Sequence, residues 1–208
     1  SIYLNEQELE EIEKVTLKIE DQDNARDWLL ISCYTAQRVS DFMRFTTDMI
    51  RNENGVNLIE FVQQKTGKIM TLPLHKKVIA ILNKRGYNFP KKFTDPDYNV
   101  LIKTVCKKAK IDELIYGGKT ITSKTGKKAL TKTGKLVDET VSRKIMGDYP
   151  KHELVTSHIG RRSFATNFYG KIPTALLMSA TGHMKESTFL TYMGKSSTDK
   201  AIELSKYF

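Results

Sequence analysis

Residues 157–170, SHIGRRSFATNFYG, set His158 three positions before Arg161, with Arg162 beside it and aromatic residues at 164, 168 and 169. On a helix, residues three apart share one side, with Cβ atoms about 5–6 Å apart. His158 and Arg161 therefore form one polar cluster, and Phe164 and Phe168 an adjoining apolar ridge. A guanidinium presents donors in a fork that matches a carboxylate or phosphate, and an imidazole titrates near neutral pH. A cationic cluster beside a buried ridge describes a helix at the floor of a cleft. Taken alone, H-x-x-R is better read as an arginine paired with a nearby carboxylate and a histidine capping a helix.

The neighbours change that balance. Arg38 stands in TAQRVSDF, Lys65 in VQQKTGK, His183 in TGHMKES and Tyr192 in FLTYMG. In this order and context Arg38, Lys65, His158, Arg161, His183 and Tyr192 resemble the catalytic domain of the tyrosine recombinase (phage integrase) family. The resemblance covers nearly the whole chain, and SHIGRRSFATN with TGHMKESTFLTYMG is similar to the integrases of mobile elements.

The resemblance implies a site-specific DNA recombinase that cleaves and rejoins strands. Arg38 and Arg161 would clamp the non-bridging oxygens of a phosphodiester as charge builds on them. Tyr192 would be the nucleophile, giving a 3′-phosphotyrosyl intermediate that conserves bond energy without a nucleotide cofactor. Since a phenol has an ordinary pKa of about 10, the site must activate it. Lys65 would protonate the departing 5′ oxygen, and His158 and His183 would bond the phosphate or assist proton transfer. The set requires no metal and no cofactor.

Each residue also has a plainer reading. Tyr192 is one of nine tyrosines and fits the edge of a core. Lys65 fits a solvated turn, and Lys68 is its rival if the hairpin register differs. Arg162 is expected to touch the DNA backbone or a carboxylate. Asp41 stands where the family commonly carries glutamate, so its supporting salt bridge would be shorter. A type IB topoisomerase uses the same phosphotyrosyl chemistry, and a non-catalytic DNA-binding module would keep the basic face alone. The integrase-like histidine and tyrosine contexts argue against the first, and the complete residue set against the second. No carboxylate cluster accompanies the arginines, which disfavours a metal-dependent nuclease.

Several elements must position these residues. LNEQELEEIEKV carries Asn5 and Glu8 at capping-box spacing, then Leu9, Ile12 and Val15 at helical intervals. DQDNARDWLLISCYT reads as a helix through the core, and Ser40 as the cap of a short helix, which leaves Arg38 in the turn between them. VNLIEFVQQ and IMTLPL favour strands joined by KTGK, a hairpin with Lys65 at its tip. HKKVIAILNKRG and DPDYNVLIKTVCKKAKI return to helical spacing, the second with Asp95 as cap and Pro96 in the first helical position. The lysine- and threonine-rich stretch 119–141 reads as an exposed loop or loose hairpin. Beyond Ser157 the pattern is helical again, with Pro173 and Gly182 bounding one helix. The expected fold is mainly α with small β-hairpins (α+β), in one domain over residues 1–208.

Charge agrees with a polyanionic partner, either nucleic acid or an anionic membrane surface. The chain of 208 residues has a net charge of +10. That charge is polarised: residues 1–30 hold nine acids against three bases, and residues 101–151 thirteen bases against five acids. Lys119, Lys124, Lys127, Lys128, Lys132 and Lys135, with Arg162, are the expected contacts to double-stranded DNA. No signal peptide or membrane-spanning stretch is legible, so the reading is a soluble protein of a prokaryotic cytoplasm, associated with the nucleoid when acting. Cys33 and Cys106 read as reduced, partly buried thiols. By family resemblance a separate N-terminal domain would complete a clamp around the duplex. The chain would be monomeric when free and tetrameric on DNA, with Ile202, Leu204 and Phe208 as apolar anchors for a neighbouring protomer or for their own domain.

Overall fold

Asn5 and Glu8 satisfy each other at the start of the first helix. The Asn5 side chain accepts from the Glu8 backbone N–H at 2.9 Å, and the Glu8 carboxylate accepts from the Asn5 N–H at 2.7 Å. Two donors that a helix start leaves unpaired are thereby used, and α1 (Glu6–Lys14) follows with Leu9 and Ile12 buried. The computed structural model describes residues 2–131 and 133–205.

Helix α2 (Glu20–Thr35) is buried on several sides, with Ala25, Trp28, Leu29, Ile31 and Cys33 all inside. Its acidic start lacks a side-chain cap, the preceding position being Ile19. The Trp28 ring stacks on Phe89 at 5.6 Å, and its Nε1 donates to the Lys91 carbonyl at 2.8 Å. The short α3 (Val39–Phe42) is preceded by Arg38 in extended conformation, so Ser40 lies inside the helix and caps nothing.

Strands β1 (Ile50–Glu53), β2 (Val56–Val62) and β3 (Ile69–Pro73) form an antiparallel sheet in that order. The β2–β3 hairpin is the one expected, with Lys65 in its turn. β1 is an addition: Glu53 pairs with Val56 across a two-residue Asn54-Gly55 loop, both residues at positive φ, the geometry that suits the twist of a hairpin. Helix α4 (Lys76–Lys84) is capped by His75. Helix α5 (Asp95–Lys108) is capped by Thr94, not by Asp95, which places Asp95 and Pro96 one position further in than expected.

After α5 the chain enters a separate compact unit, Ile111–Leu154. It is a ribbon of β4 (Leu114–Leu130) and β5 (Leu136–Pro150), closed by the one-turn α6 (Lys151–Leu154). Of the two readings of the lysine-rich stretch, loop or loose hairpin, the structure has the hairpin, a two-stranded ribbon whose register shifts between Lys124 and Lys128. β-branched residues on both strands, among them Thr120, Ile121, Thr122, Val141 and Ile145, favour its extended backbone.

The remaining helices return to the first unit. They are α7 (Ile159–Phe168), α8 (Thr174–Thr181), α9 (Glu186–Met193) and α10 (Ser197–Leu204). Ala165, Leu177, Phe189, Leu190 and Met193 make a buried cluster among α7, α8 and α9. α8 begins after Pro173 and ends at Gly182 with φ +68°, the asymmetry read in the sequence. α2 packs against α1, α4, α5 and α7. The fold is thus α+β, as expected, with helices around α2 holding the sheet and the site. Ile202 and Leu204 are exposed, and Phe208 lies outside the described residues.

Candidate active site

Arg161 is carried by the first turn of α7, which crosses α2 closely because position 160 is glycine. A Cβ there would lie 2.8 Å from the backbone carbonyl carbon of Ser32. α2 ends at Ala36 with φ +61°, an uncommon conformation for a residue with a side chain, and this turns the Ala36 carbonyl toward α7. Arg161 Nη1 donates to that carbonyl at 3.0 Å, and Nη2 donates to the carbonyl of Thr181 at the end of α8. Only 4 % of Arg161 is exposed. Burial, and then the nearby Arg38 charge, lower its pKa to about 10, which still leaves it cationic at neutral pH.

Arg38 faces the same space from the turn between α2 and α3. Its charge acts on Arg161, His158, His183 and Tyr192, and its Nη1 is buried without a hydrogen-bond partner. Asp41 does not pair with it. One Asp41 carboxylate oxygen accepts from the Gln64 N–H at 2.8 Å and from Arg44 Nη2 at 3.3 Å, while the other is unpartnered. The short acid thus supports the hairpin next to Lys65 in place of the arginine.

His183 and Tyr192 meet across the α8–α9 connection with ring centroids 5.2 Å apart. His183 Nδ1 is 2.8 Å from Thr181 Oγ1, whose own hydroxyl donates to the Leu177 carbonyl at 2.8 Å. The hydroxyl proton is committed, so Nδ1 carries a hydrogen and Nε2 a lone pair. Burial, then Arg161 and Arg38, lower the His183 pKa to about 4, so the ring is neutral at pH 7. Burial pushes the Tyr192 phenol up, while Arg161, Arg162 and Arg38 pull it down. The arginine carbons sit 6.0 Å (Arg161) and 5.8 Å (Arg162) from the Tyr192 ring centroid. Its hydroxyl feels both charges yet is buried without meeting hydrogen-bond geometry. Arg162, expected at DNA or a carboxylate, lies against this ring, pairs with no carboxylate among the described residues and has an unpartnered Nε.

The other expected residues are placed differently. His158 precedes α7 as its N-cap position and is exposed in surface area; its ring is nonetheless enclosed enough that burial first, then Arg162, Arg161 and Arg38, lower its pKa. Lys65 and Lys68 are both exposed around the β2–β3 turn, and no ion pair holds either among the described residues. In the separate ribbon unit, Lys119 pairs with Glu153 at 2.6 Å and Lys124 with Asp138 at 2.5 Å, whereas Lys127, Lys128 and Lys135 are exposed. Lys132 lies outside the described residues. The buried Cys33 thiol is pushed up to about 12 by burial, and Cys106 is also buried. Among the described residues no metal-ligating group of His, Cys, Asp or Glu assembles, and no helix is long and apolar enough to cross a membrane.

Sequence reasoning missed the backbone that aims these side chains: Ala36, Gly160 and Thr181. Only Gly160 left a trace, a glycine inside a helical pattern beside the motif arginine.

Residues 3–198 match the model of the family described as Phage integrase family. No curated protein sequence matches the chain. Among solved structures it is similar to the XerH site-specific recombinase bound to palindromic difH substrate, with 16% identity and a TM-score of 0.62, covering 99% of this chain and 53% of XerH. Lambda integrase bound to a COC′ core site gives 14% identity and a TM-score of 0.60, covering 94% of this chain and 60% of that one. The Tn1549 transposon integrase with circular-intermediate DNA gives 15% identity and a TM-score of 0.51, covering 96% and 62%. The chain thus spans between half and two thirds of each of these solved chains.

Proposed function

Because the chain belongs to the phage integrase family, we propose that it is the catalytic part of a site-specific DNA recombinase that works through a covalent Tyr192 intermediate. One observation carries the reading. Arg38, Arg161, His183 and Tyr192, drawn from three separate stretches of sequence, face one space in which Arg38 Nη1 and Tyr192 Oη are buried without partners. Two guanidiniums this close repel unless an anion joins them, and a phosphodiester supplies that anion.

Tyr192 Oη attacks phosphorus, forming the 3′-phosphotyrosyl bond as the P–O5′ bond breaks. Arg38 and Arg161 hold the non-bridging oxygens where charge accumulates. The phenol proton passes to His183 Nε2, the lone pair that Thr181 leaves available, and Lys65 gives a proton to the departing 5′ oxygen. His158 completes the hydrogen bonds to the phosphate. Rejoining runs these transfers backwards with a new 5′ hydroxyl. Double-stranded DNA is the partner in this reading, with four protomers assembled on two duplexes and a monomer in their absence, in a prokaryotic cell. A second, DNA-clamping domain would supply most of the site specificity.

The test is covalent capture in EDTA on nicked duplexes from a randomised library. A protein–DNA adduct that resists SDS and is missing from Tyr192→Phe is the expected result. Absence of any adduct, with the clamp domain joined, would leave a DNA-binding module as the better reading.

A further inference from the structure

Between the hairpin and the arginine turn lie two amide side chains that the chemistry above does not use. Gln37 is fully buried and Gln63 is 2 % exposed. Polar groups this deep must be bonded to be tolerated, and here the bonds form a chain with one direction. Gln37 Nε2 donates to the carbonyls of Thr35 at 2.7 Å and Ala180 at 2.8 Å. Carbonyls only accept, so the other end of that amide is its oxygen. Gln37 Oε1 accepts from Gln63 Nε2 at 3.3 Å, and Gln63 Oε1 is left to accept from the Thr66 hydroxyl at 2.8 Å. Two backbone carbonyls thus fix the orientation of both amides.

The partners of this pair are the immediate sequence neighbours of the proposed site residues. Gln37 precedes Arg38, and Thr66 follows Lys65. Gln63 also covers Gly182, the residue before His183: a Cβ at Gly182 would lie 3.3 Å from Gln63 Nε2 and 3.5 Å from its Oε1. Backbone bonds from Gln63 N to Lys68 O and from Gly67 N to Gln63 O, both 2.9 Å, tie the amide to the whole turn. Lys65 itself is exposed, so its reach into the site depends on where that turn is held.

We propose that Gln63, braced by Gln37, is the positioning residue that holds the Lys65 turn in register with Arg38 and His183. The proposal rests on the reading of Lys65 as the proton donor to the leaving oxygen. A misplacement of about 1 Å can cost about 100-fold in rate, and without the Gln63 side chain the turn keeps only its backbone bonds and the Asp41 bond to Gln64 N–H to hold the exposed lysine to that tolerance.

Gln63→Leu keeps the volume and removes both side-chain bonds, and Thr66→Val, outside the core, cuts the last link together with the long bond that Thr66 Oγ1 accepts from the Lys68 N–H at 3.4 Å. Amide hydrogen exchange of the free chain reads the coupling without DNA. Residues 63–68 should exchange about tenfold faster in both variants, with α2 unchanged. Unchanged exchange at the turn, or equal acceleration throughout α2, overturns the proposal. Single-turnover cleavage then reads its consequence, on a nicked duplex obtained by covalent capture with the unmodified chain. Gln63→Leu should slow cleavage by about 100-fold and add nothing to the loss in Lys65→Ala. A 5′-bridging sulfur, which leaves as a thiolate and needs no proton, should restore most of the lost rate in both. Losses that multiply, or a Gln63→Leu defect that sulfur does not relieve, overturn positioning. If Lys65→Ala cleaves ordinary DNA normally, the Lys65 reading falls and the proposal with it. If the unmodified chain forms no adduct, the proposed function falls, and exchange alone decides whether Gln63 holds the turn.

Discussion

Gly160 and Ser32 touch so closely that a Cβ at position 160 would lie 1.9 Å from Ser32 Oγ and 2.8 Å from the Ser32 carbonyl carbon. The hydroxyl could rotate away, but the backbone of α2 cannot. Gly160→Ala should therefore push α7 outward, costing about 1–3 kcal/mol, the usual range for overpacking. Arg161, next in sequence, would lose its bond to Ala36. The expected result is a Tm lower by several degrees together with loss of DNA cleavage. An unchanged Tm would mean that α7 slides without cost.

Arg38 and Arg161 repel in the free chain, and Arg38 Nη1 is buried without a partner. Removing that charge should stabilise the fold while abolishing its chemistry. For Arg38→Met we expect a gain of about 1 kcal/mol, the low end for relieving an unsatisfied buried group, and a Tm higher by about 2–4 °C. Thermal melts with and without orthovanadate check the reason: the oxyanion should raise the Tm of the unmodified chain and not that of the variant. A variant that melts lower would show that Arg38 is held by packing and not strained by charge.

The chemistry was more legible than its supports. Side chains proposed to touch a phosphate carry chemical identity, so Arg38, Arg161, His183 and Tyr192 stood out by type and order, and in the structure they face one space. Ala36 and Thr181 contribute through backbone carbonyls, and any residue type brings one, so no sequence signal marked them. Gln37 and Gln63 were visible letters with no local pattern, because their partners are distant in sequence. The Asn54-Gly55 turn, by contrast, was legible and was passed over, since Ile50–Glu53 has only one apolar side chain to suggest a strand. The sequence leaves the ribbon between a loop and a loose hairpin for a similar reason: its strands are mostly exposed, so no alternation of apolar and polar residues marks them.

His183 gives the fold a pH dependence of definite sign. Its pKa falls from an ordinary value of 6.5 to about 4 in the folded chain, so between those values the unfolded chain binds more protons. Stability is then complete above about pH 6.5 and is lost as pH falls toward about 4. His158 and His75 are lowered too and act in the same direction. Urea midpoints across this range should fall more steeply for the unmodified chain than for His183→Gln. Because the carboxylates are common to both proteins, the difference between the two curves isolates His183. A difference that does not vary with pH would show that the ring is not held neutral.

The ribbon lysines divide into two classes that salt dependence can separate. Lys119 and Lys124 already face Glu153 and Asp138, so each has a partner to leave before it meets a phosphate. Lys127 and Lys135 are exposed toward the far end of the ribbon, where β4 gives way to β5. A cation that neutralises a duplex phosphate releases condensed counterions and contributes about 0.9 to the slope of log K against log salt. Replacing Lys127 and Lys135 together by glutamine should flatten that slope by about 2 and weaken binding to all sequences alike. Replacing Lys119 and Lys124 should change it by less, because breaking each ion pair offsets part of the gain from the phosphate. Fluorescence anisotropy on a random-sequence duplex between 50 and 200 mM salt, about the range over which such contacts are lost, makes the comparison. Slopes unchanged from that of the unmodified chain in both variants would place the ribbon away from the phosphates, and equal flattening would show that the two ion pairs do not matter.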